Sequence, residues 1–152
     1  MTYGQRERIF FSGFCEHYDY EILEVTKEDG YDYYEGVIFS KKKQKKYVVE
    51  VKIRSSYLTS YPNFDVLIEC DKIEHLKEKT KEKDCSTALY ISVYRDYITI
   101  SDIFLLDQNL TEQMQQQSQK NKKKIKKKIC YNTNFIYIKD SPLLNIYQYN
   151  VN

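Results

Sequence analysis

The spacing of hydrophobic and polar positions changes several times along the chain, and each change predicts an element. Between Gly4 and Tyr18, Ile9, Phe10, Gly13, Phe14 and His17 recur at helical spacing, which predicts a short helix. Tyr20 to Val25 alternates like a strand, and Glu28-Asp29-Gly30 is a turn signal. A hairpin follows, with Glu35 to Ser40 and Tyr47 to Arg54 joined by a lysine-rich turn. Its second strand alternates most clearly. Tyr47, Val49, Val51 and Ile53 fall on one face; Val48, Glu50, Lys52 and Arg54 fall on the other.

Ser55 to Asn63 reads as a loop closed by Pro62, and the apolar stretch Phe64 to Ile68 leads into a second helix. Asp71 is placed to cap that helix, with Glu74 three residues on completing a capping box. Ile73, Leu76 and the stems of Lys72 and Lys79 then face inward, while Glu78, Lys81 and Glu82 face water. Ala88 to Tyr94 and Tyr97 to Ile103 form a second hairpin around Arg95-Asp96. Residues 110–128, rich in glutamine and lysine, read as a mobile polar loop or a frayed helix. Ile129 to Lys139 returns as a strand, and the tail from Pro142 is expected on the surface. With no repeat and no linker, residues 1–152 are expected to form one domain of α/β (α+β) class.

Composition narrows the class. A chain of 152 residues, 41% hydrophobic and 30% charged, can bury a core without staples. Its 16 tyrosines, with no tryptophan, suit sheet surfaces that have one wet edge. No apolar run approaches the roughly 20 residues of a membrane span, and Met1 to Arg8 lacks the apolar stretch of a secretory signal. The cysteines at 15, 70, 85 and 130 form no C-x-x-C pair, so reduced thiols and a cytoplasmic setting are expected rather than disulfides or zinc. Net charge is only +2, yet lysines bunch at Lys41 to Lys46 and Lys120 to Lys128. Such runs either meet phosphate, Lys43 and Lys45 being candidates, or are solvated turns.

The candidate chemistry lies on the polar face of the best-patterned strand. Glu50-Val51-Lys52 projects a carboxylate and an ammonium from one face, roughly 7 Å apart along the strand. A carboxylate there can hold Mg²⁺ while the ammonium orients a water or offsets charge building on a phosphate. Alone, an E-x-K on a strand is more often an exposed cross-strand pair. Here Glu35 immediately precedes the partner strand, with Asp32 three residues earlier, and a helix follows after a loop. Glu7 and Glu16 on the first helix can supply an auxiliary acid, but ordinary solvated carboxylates are the preferred reading. Only two histidines, His17 and His75, and no glycine-rich phosphate loop argue against a triad, a zinc hydrolase or nucleotide-driven transfer. Tyr90 and Tyr94 can stack bases, but such strand tyrosines are more often sheet packing.

The order acidic residue, strand, turn, E-x-K strand, loop, helix resembles the PD-(D/E)XK nuclease superfamily, in particular small bacterial and phage members. The resemblance rests on Asp32 and Glu35 before Gly36-Val37-Ile38, on Glu50-Val51-Lys52 within Tyr47 to Arg54, and on Phe64 to Lys72. It covers roughly Asp32 to Ile103; the proline of the motif is absent. It implies a restriction-endonuclease-like αβββαβ core, a mixed central sheet flanked by helices, and Mg²⁺- or Mn²⁺-dependent hydrolysis of DNA, with RNA as the other polymer. Residue by residue it implies Glu50 and either Glu35 or Asp32 as metal acids, aided by the Val51 carbonyl, with Lys52 positioning the water. Arg54 and Lys72 are then expected to meet the nucleic acid, and two chains to pair for double-strand cutting. Two other readings remain: a nucleic-acid-binding module of the same fold that does not cut, and a structural or interaction protein whose charged strand face is plain surface.

Overall fold

A computed structural model describes residues 2–27, 33–107, 111–117 and 124–148, with backbone alone at 111–117, 124–127 and 148. The elements are α1 (Tyr3–His17), β1 (Tyr20–Val25), β2 (Gly36–Ser40), β3 (Lys45–Ile53), β4 (Val66–Glu69), α2 (Cys70–Glu82), β5 (Thr87–Val93), β6 (Tyr97–Asp102), β7 (Thr111–Gln117), β8 (Lys124–Asn132) and β9 (Ile136–Lys139). Six strands form one sheet in the order β1-β2-β3-β5-β6-β9, in which β3 and β5 run parallel and the other pairs antiparallel. A parallel pair needs a crossover, and the segment through β4 and α2 supplies it. The sheet is therefore mixed, as expected.

Helix α1 starts at a reciprocal cap, Thr2 accepting from the Gln5 amide and Gln5 accepting from the Thr2 amide. Its packing face is turned from the one the spacing suggests. Phe10, Phe11, Phe14 and Cys15 are buried, whereas Ile9 is 43% exposed. These aromatics cover Val49, Val51, Ile53 and Ile91 on one side of the sheet. On the other side Ile73 and Leu76 of α2 pack with Val37, Val48 and Tyr90. Strand β3 is thus covered on both faces, and a charge buried in its middle, as Glu50 is, must find a partner inside the protein.

Gly36 holds the start of β2 tight against its neighbours. A Cβ there would lie 2.3 Å from the Glu24 carbonyl oxygen and 2.8 Å from Phe11 Cζ, so only glycine fits this approach.

Two expectations are corrected. Helix α2 is not capped by Asp71: β4 runs directly into it, Glu69 is the N-cap residue with no side-chain cap bond, and Asp71 instead accepts from the Lys72 amide. The polar stretch at 110–128 is not a loop throughout. Thr111–Gln117 and Lys124–Asn132 pair as antiparallel strands, and β8 also pairs with β4 to make a second sheet, β4-β8-β7. The tail after Pro142 is a 3₁₀ turn, Pro142–Gln148, that buries Ile146 against the α1 side of the core. No described helix is long and apolar enough to cross a membrane.

Candidate active site

The site forms where β2 stops and β3 continues. Gly36 pairs with Val49, and the last bond across the two strands runs from the Glu35 amide to the Val49 carbonyl at 2.7 Å. Backbone groups of successive strand residues point to opposite sides. The Arg54 amide points to β5, donating to Val93 O, so those of Val49, Val51 and Ile53 point to the β2 side. Past Val49 there is no β2 left to meet them. Side chains fill the gap: Glu50 Oε1 accepts from the Val51 amide at 3.0 Å, and Glu7 Oε2 of α1 accepts from the Ile53 amide at 3.0 Å. The Val51 carbonyl faces this same open edge, since a strand residue's N–H and C=O point the same way.

Three carboxylates meet at this break. Glu50 is 5% exposed and Glu35 9% exposed, and Glu7 is half-buried. Glu50 Oε2 receives a 2.5 Å ion pair from Lys72 Nζ, at the first turn of α2. Glu35 Oε1 lies 3.3 Å from Arg8 Nε, a contact without hydrogen-bond geometry that leaves the buried Nε without a bonded acceptor. All three acids ionise less readily than an ordinary carboxyl. Burial pushes the Glu35 carboxyl up to about 7, with further repulsion from Glu50 and Glu7 and only partial relief from Arg8 and Lys72. Glu50 is raised by burial and by Glu7, against the pull of Lys72 and the Val51 amide. Glu7 is raised by burial, against the Ile53 amide and the charges of Lys52, Lys72 and Arg54. In all three, burial is the largest cause and outweighs the neighbouring cations.

The other sequence candidates are spread out. Lys52 is half-buried and close enough to lower the Glu7 carboxyl; among the described residues no hydrogen bond or ion pair holds its ammonium. Arg54 turns inward, its Nη2 donating to Leu67 O at 2.9 Å and to the Tyr90 hydroxyl at 3.1 Å. That arrangement ties β3, β4 and β5 together instead of presenting the guanidinium to a phosphate. Lys43 and Lys45 are exposed but sit at the opposite end of β3, roughly 17 Å from Glu50 at about 3.3 Å per residue. Asp32 lies outside the described residues. Tyr90 and Tyr94, at 2% and 1% exposure, are core packing and not base platforms.

The residue that the sequence reading weighed as an auxiliary acid and set aside as solvated is Glu7. Its signal was present: Glu7, Phe11 and Phe14 stand at i, i+4 and i+7, one helical face, and the two aromatics are buried. A carboxylate in line with two buried rings faces the core, not water.

The fold is restriction-endonuclease-like: the order α1-β1-β2-β3-α2-β5 is the αβββαβ core, with β4 inserted before α2. Among solved structures the chain is similar to Hjc, a Holliday junction resolvase from the archaeal hyperthermophile Archaeoglobus fulgidus. The two share 13% sequence identity at a TM-score of 0.51, over 68% of this chain and 79% of that one. No family model and no curated protein matches the chain.

Proposed function

We propose that the protein is a metal-dependent nuclease that hydrolyses DNA phosphodiester bonds at the break between β2 and β3. The observation that carries this reading is the meeting of Glu7, Glu35 and Glu50, all hard to ionise, at one open strand edge. Buried acids that repel one another destabilise a fold unless they serve a purpose, and perturbed carboxyls cluster at functional sites. Likeness of fold to a Holliday junction resolvase supports the same direction.

The donor chemistry fits Mg²⁺ or Mn²⁺: carboxylate oxygens, one strand carbonyl, and no nitrogen or sulfur. Among the described residues no three His, Cys, Asp or Glu side chains already form a metal cage, Glu50 being drawn to Lys72. Glu50 and Glu35 would hold the cation, with Glu7 and the Val51 carbonyl as the remaining donors and Asp32 as the alternative to Glu35. A bound cation of this kind polarises the scissile phosphate and lowers the pKa of its water. Lys52, uncommitted among the described residues, orients the attacking water and offsets charge developing on the phosphate. Lys72 keeps Glu50 ionised inside a covered sheet.

A second reading, a domain that binds nucleic acid without cutting, is favoured by one feature, the 2.5 Å Lys72–Glu50 pair, in which an ammonium already neutralises the acid. Nicking of supercoiled plasmid separates the two. The nuclease reading expects Mg²⁺- or Mn²⁺-dependent nicking that Glu50→Gln and Lys52→Ala each reduce by a hundredfold or more, a scale typical of charge-stabilising groups. Equal nicking by both variants and the wild type would reject it; binding without nicking in any of the three would leave the second reading.

A further inference from the structure

Beside the acid cluster, α2 carries a stripe of basic groups set against two aromatic rings. Lys72, His75 and Lys79 stand at i, i+3 and i+7, so they share one side of the helix, and all three are half-buried. The Tyr33 ring lies flat on the His75 imidazole, with centroids 3.7 Å apart and planes 9° from parallel. One turn further on, Lys79 Nζ sits 5.3 Å above the Tyr34 ring. The acids of α2, Asp71, Glu74, Glu78 and Glu82, are exposed. Of these only Glu82 reaches the stripe, through a 3.0 Å pair with Lys79. An exposed pair of that kind contributes little and yields readily to a phosphate.

Tyr33 is the telling residue. It is 43% exposed although it stacks, so the pair is a wet platform and not core packing. It neighbours the acid cluster along the chain: Tyr33 stands two residues before Glu35, and His75 stands one turn after Lys72, the partner of Glu50. Flat aromatic surface interleaved with cations is the arrangement that holds unpaired nucleotides, because every base has a stackable face and every linkage a charge.

We infer that the Tyr33–His75 platform binds an unpaired nucleotide next to the scissile phosphate, so that the substrate is DNA with a single-stranded segment rather than continuous duplex. The base stacks on Tyr33 and an adjoining phosphate meets Lys79, Lys72 staying with Glu50. This deepens the nuclease reading of the neighbouring acids and rests on it for the word scissile, but the binding itself needs no cutting.

The test is therefore done in EDTA, where no divalent cation permits hydrolysis. Oligonucleotides carrying 2-aminopurine, either single-stranded or in a bulge, are titrated with wild type, Tyr33→Ala and Tyr33→Phe, alongside a fully paired duplex. Circular dichroism and melting temperature verify that each variant is folded. Wild type is expected to quench the unpaired 2-aminopurine and to bind unpaired DNA more tightly than duplex. Tyr33→Ala is expected to lose about five- to a hundredfold in affinity for unpaired DNA, the range for one stacked base. Tyr33→Phe is expected to keep it, and duplex affinity is expected to stay within about twofold in both variants. An unchanged affinity in Tyr33→Ala, an equal loss on duplex, or no preference for unpaired DNA in wild type would overturn the inference. Plasmid nicking in Mg²⁺ is scored separately. Nicking without stacking sinks this inference alone, and stacking without nicking sinks only the catalytic reading.

Discussion

Lys72→Met should destabilise the protein at alkaline pH and leave it almost unaffected in acid. In the wild type Lys72 Nζ lies 2.5 Å from Glu50 Oε2, and the two side chains are 24% and 7% exposed. Removing one partner of a fully buried pair typically costs about 3–5 kcal/mol, because the other charge is left in a poor dielectric. Lys72 is partly solvated, which screens the pair and brings the expected loss down to about 2–3 kcal/mol. Methionine keeps most of the stem's packing, so little of that loss comes from a cavity. The pH dependence follows from the Glu50 carboxyl. Burial already holds it above its ordinary value of 4.5, and Lys72 is the strongest influence pulling it down. Without Lys72 it rises further. The pair's contribution is fully present only above the still higher value that Glu50 has without Lys72; it fades as pH falls from there, and is gone once the wild-type carboxyl is itself protonated. Urea denaturation in EDTA at pH 8 and near pH 4.5 follows the change, with the larger loss expected at pH 8. A loss that is the same at the two pH values, or below about 0.5 kcal/mol at pH 8, would refute the reasoning. In a double-mutant cycle Glu50→Gln should remove most of the cost of Lys72→Met.

Three further outcomes follow from the same geometry. Because the Glu35 carboxyl is pushed up to about 7 from 4.5, the folded state binds more protons than the unfolded one between those values, so stability should fall as pH rises through that window. Glu35→Gln should flatten this fall in thermal melts; an unchanged slope would show that Glu35 is not its source. Gly36→Ala should cost about 2–3 kcal/mol in urea melts, as overpacking against backbone does, since the Glu24 carbonyl oxygen and Phe11 ring have little room to move; a near-neutral effect would contradict that approach. Tyr147→Phe removes the hydroxyl's bonds to Arg54 O and to Val93 O and should cost roughly 1–2 kcal/mol in the same assay, because Arg54 O loses its donor while Val93 O keeps the Arg54 amide; no measurable loss would show that the Arg54 carbonyl is otherwise satisfied.

Local patterns made much of the fold legible. The alternation Tyr47 to Arg54, the turn signals on either side of it and the two later strands all correspond to elements of the central sheet. Glu50 was legible as a candidate because it and Lys52 share the polar face of the clearest alternating strand. What was not legible depends on contacts between distant segments. Thr111–Gln117 reads Thr-Glu-Gln-Met-Gln-Gln-Gln, with no apolar alternation, and it becomes a strand by pairing with β8, itself held by β4. Asp71 looked like a cap because nothing in the local sequence says that β4 runs into α2 without a turn. Glu7 was read as a solvated carboxylate because Ile9 and His17 drew the predicted helix face away from Phe11. Arg54 looked exposed because alternation gives a face but not what covers it; Leu67 and Tyr90 cover this one.

The central claim is that Glu7, Glu35 and Glu50 make one cation site at the end of β2. Calorimetric titration of Mn²⁺ into the metal-free protein tests it without relying on a substrate. The account predicts saturable binding by the wild type, abolished in Glu50→Gln and weakened in Glu35→Gln and Glu7→Gln, with each variant folded. No binding by the wild type, or equal binding by all four proteins, would contradict it.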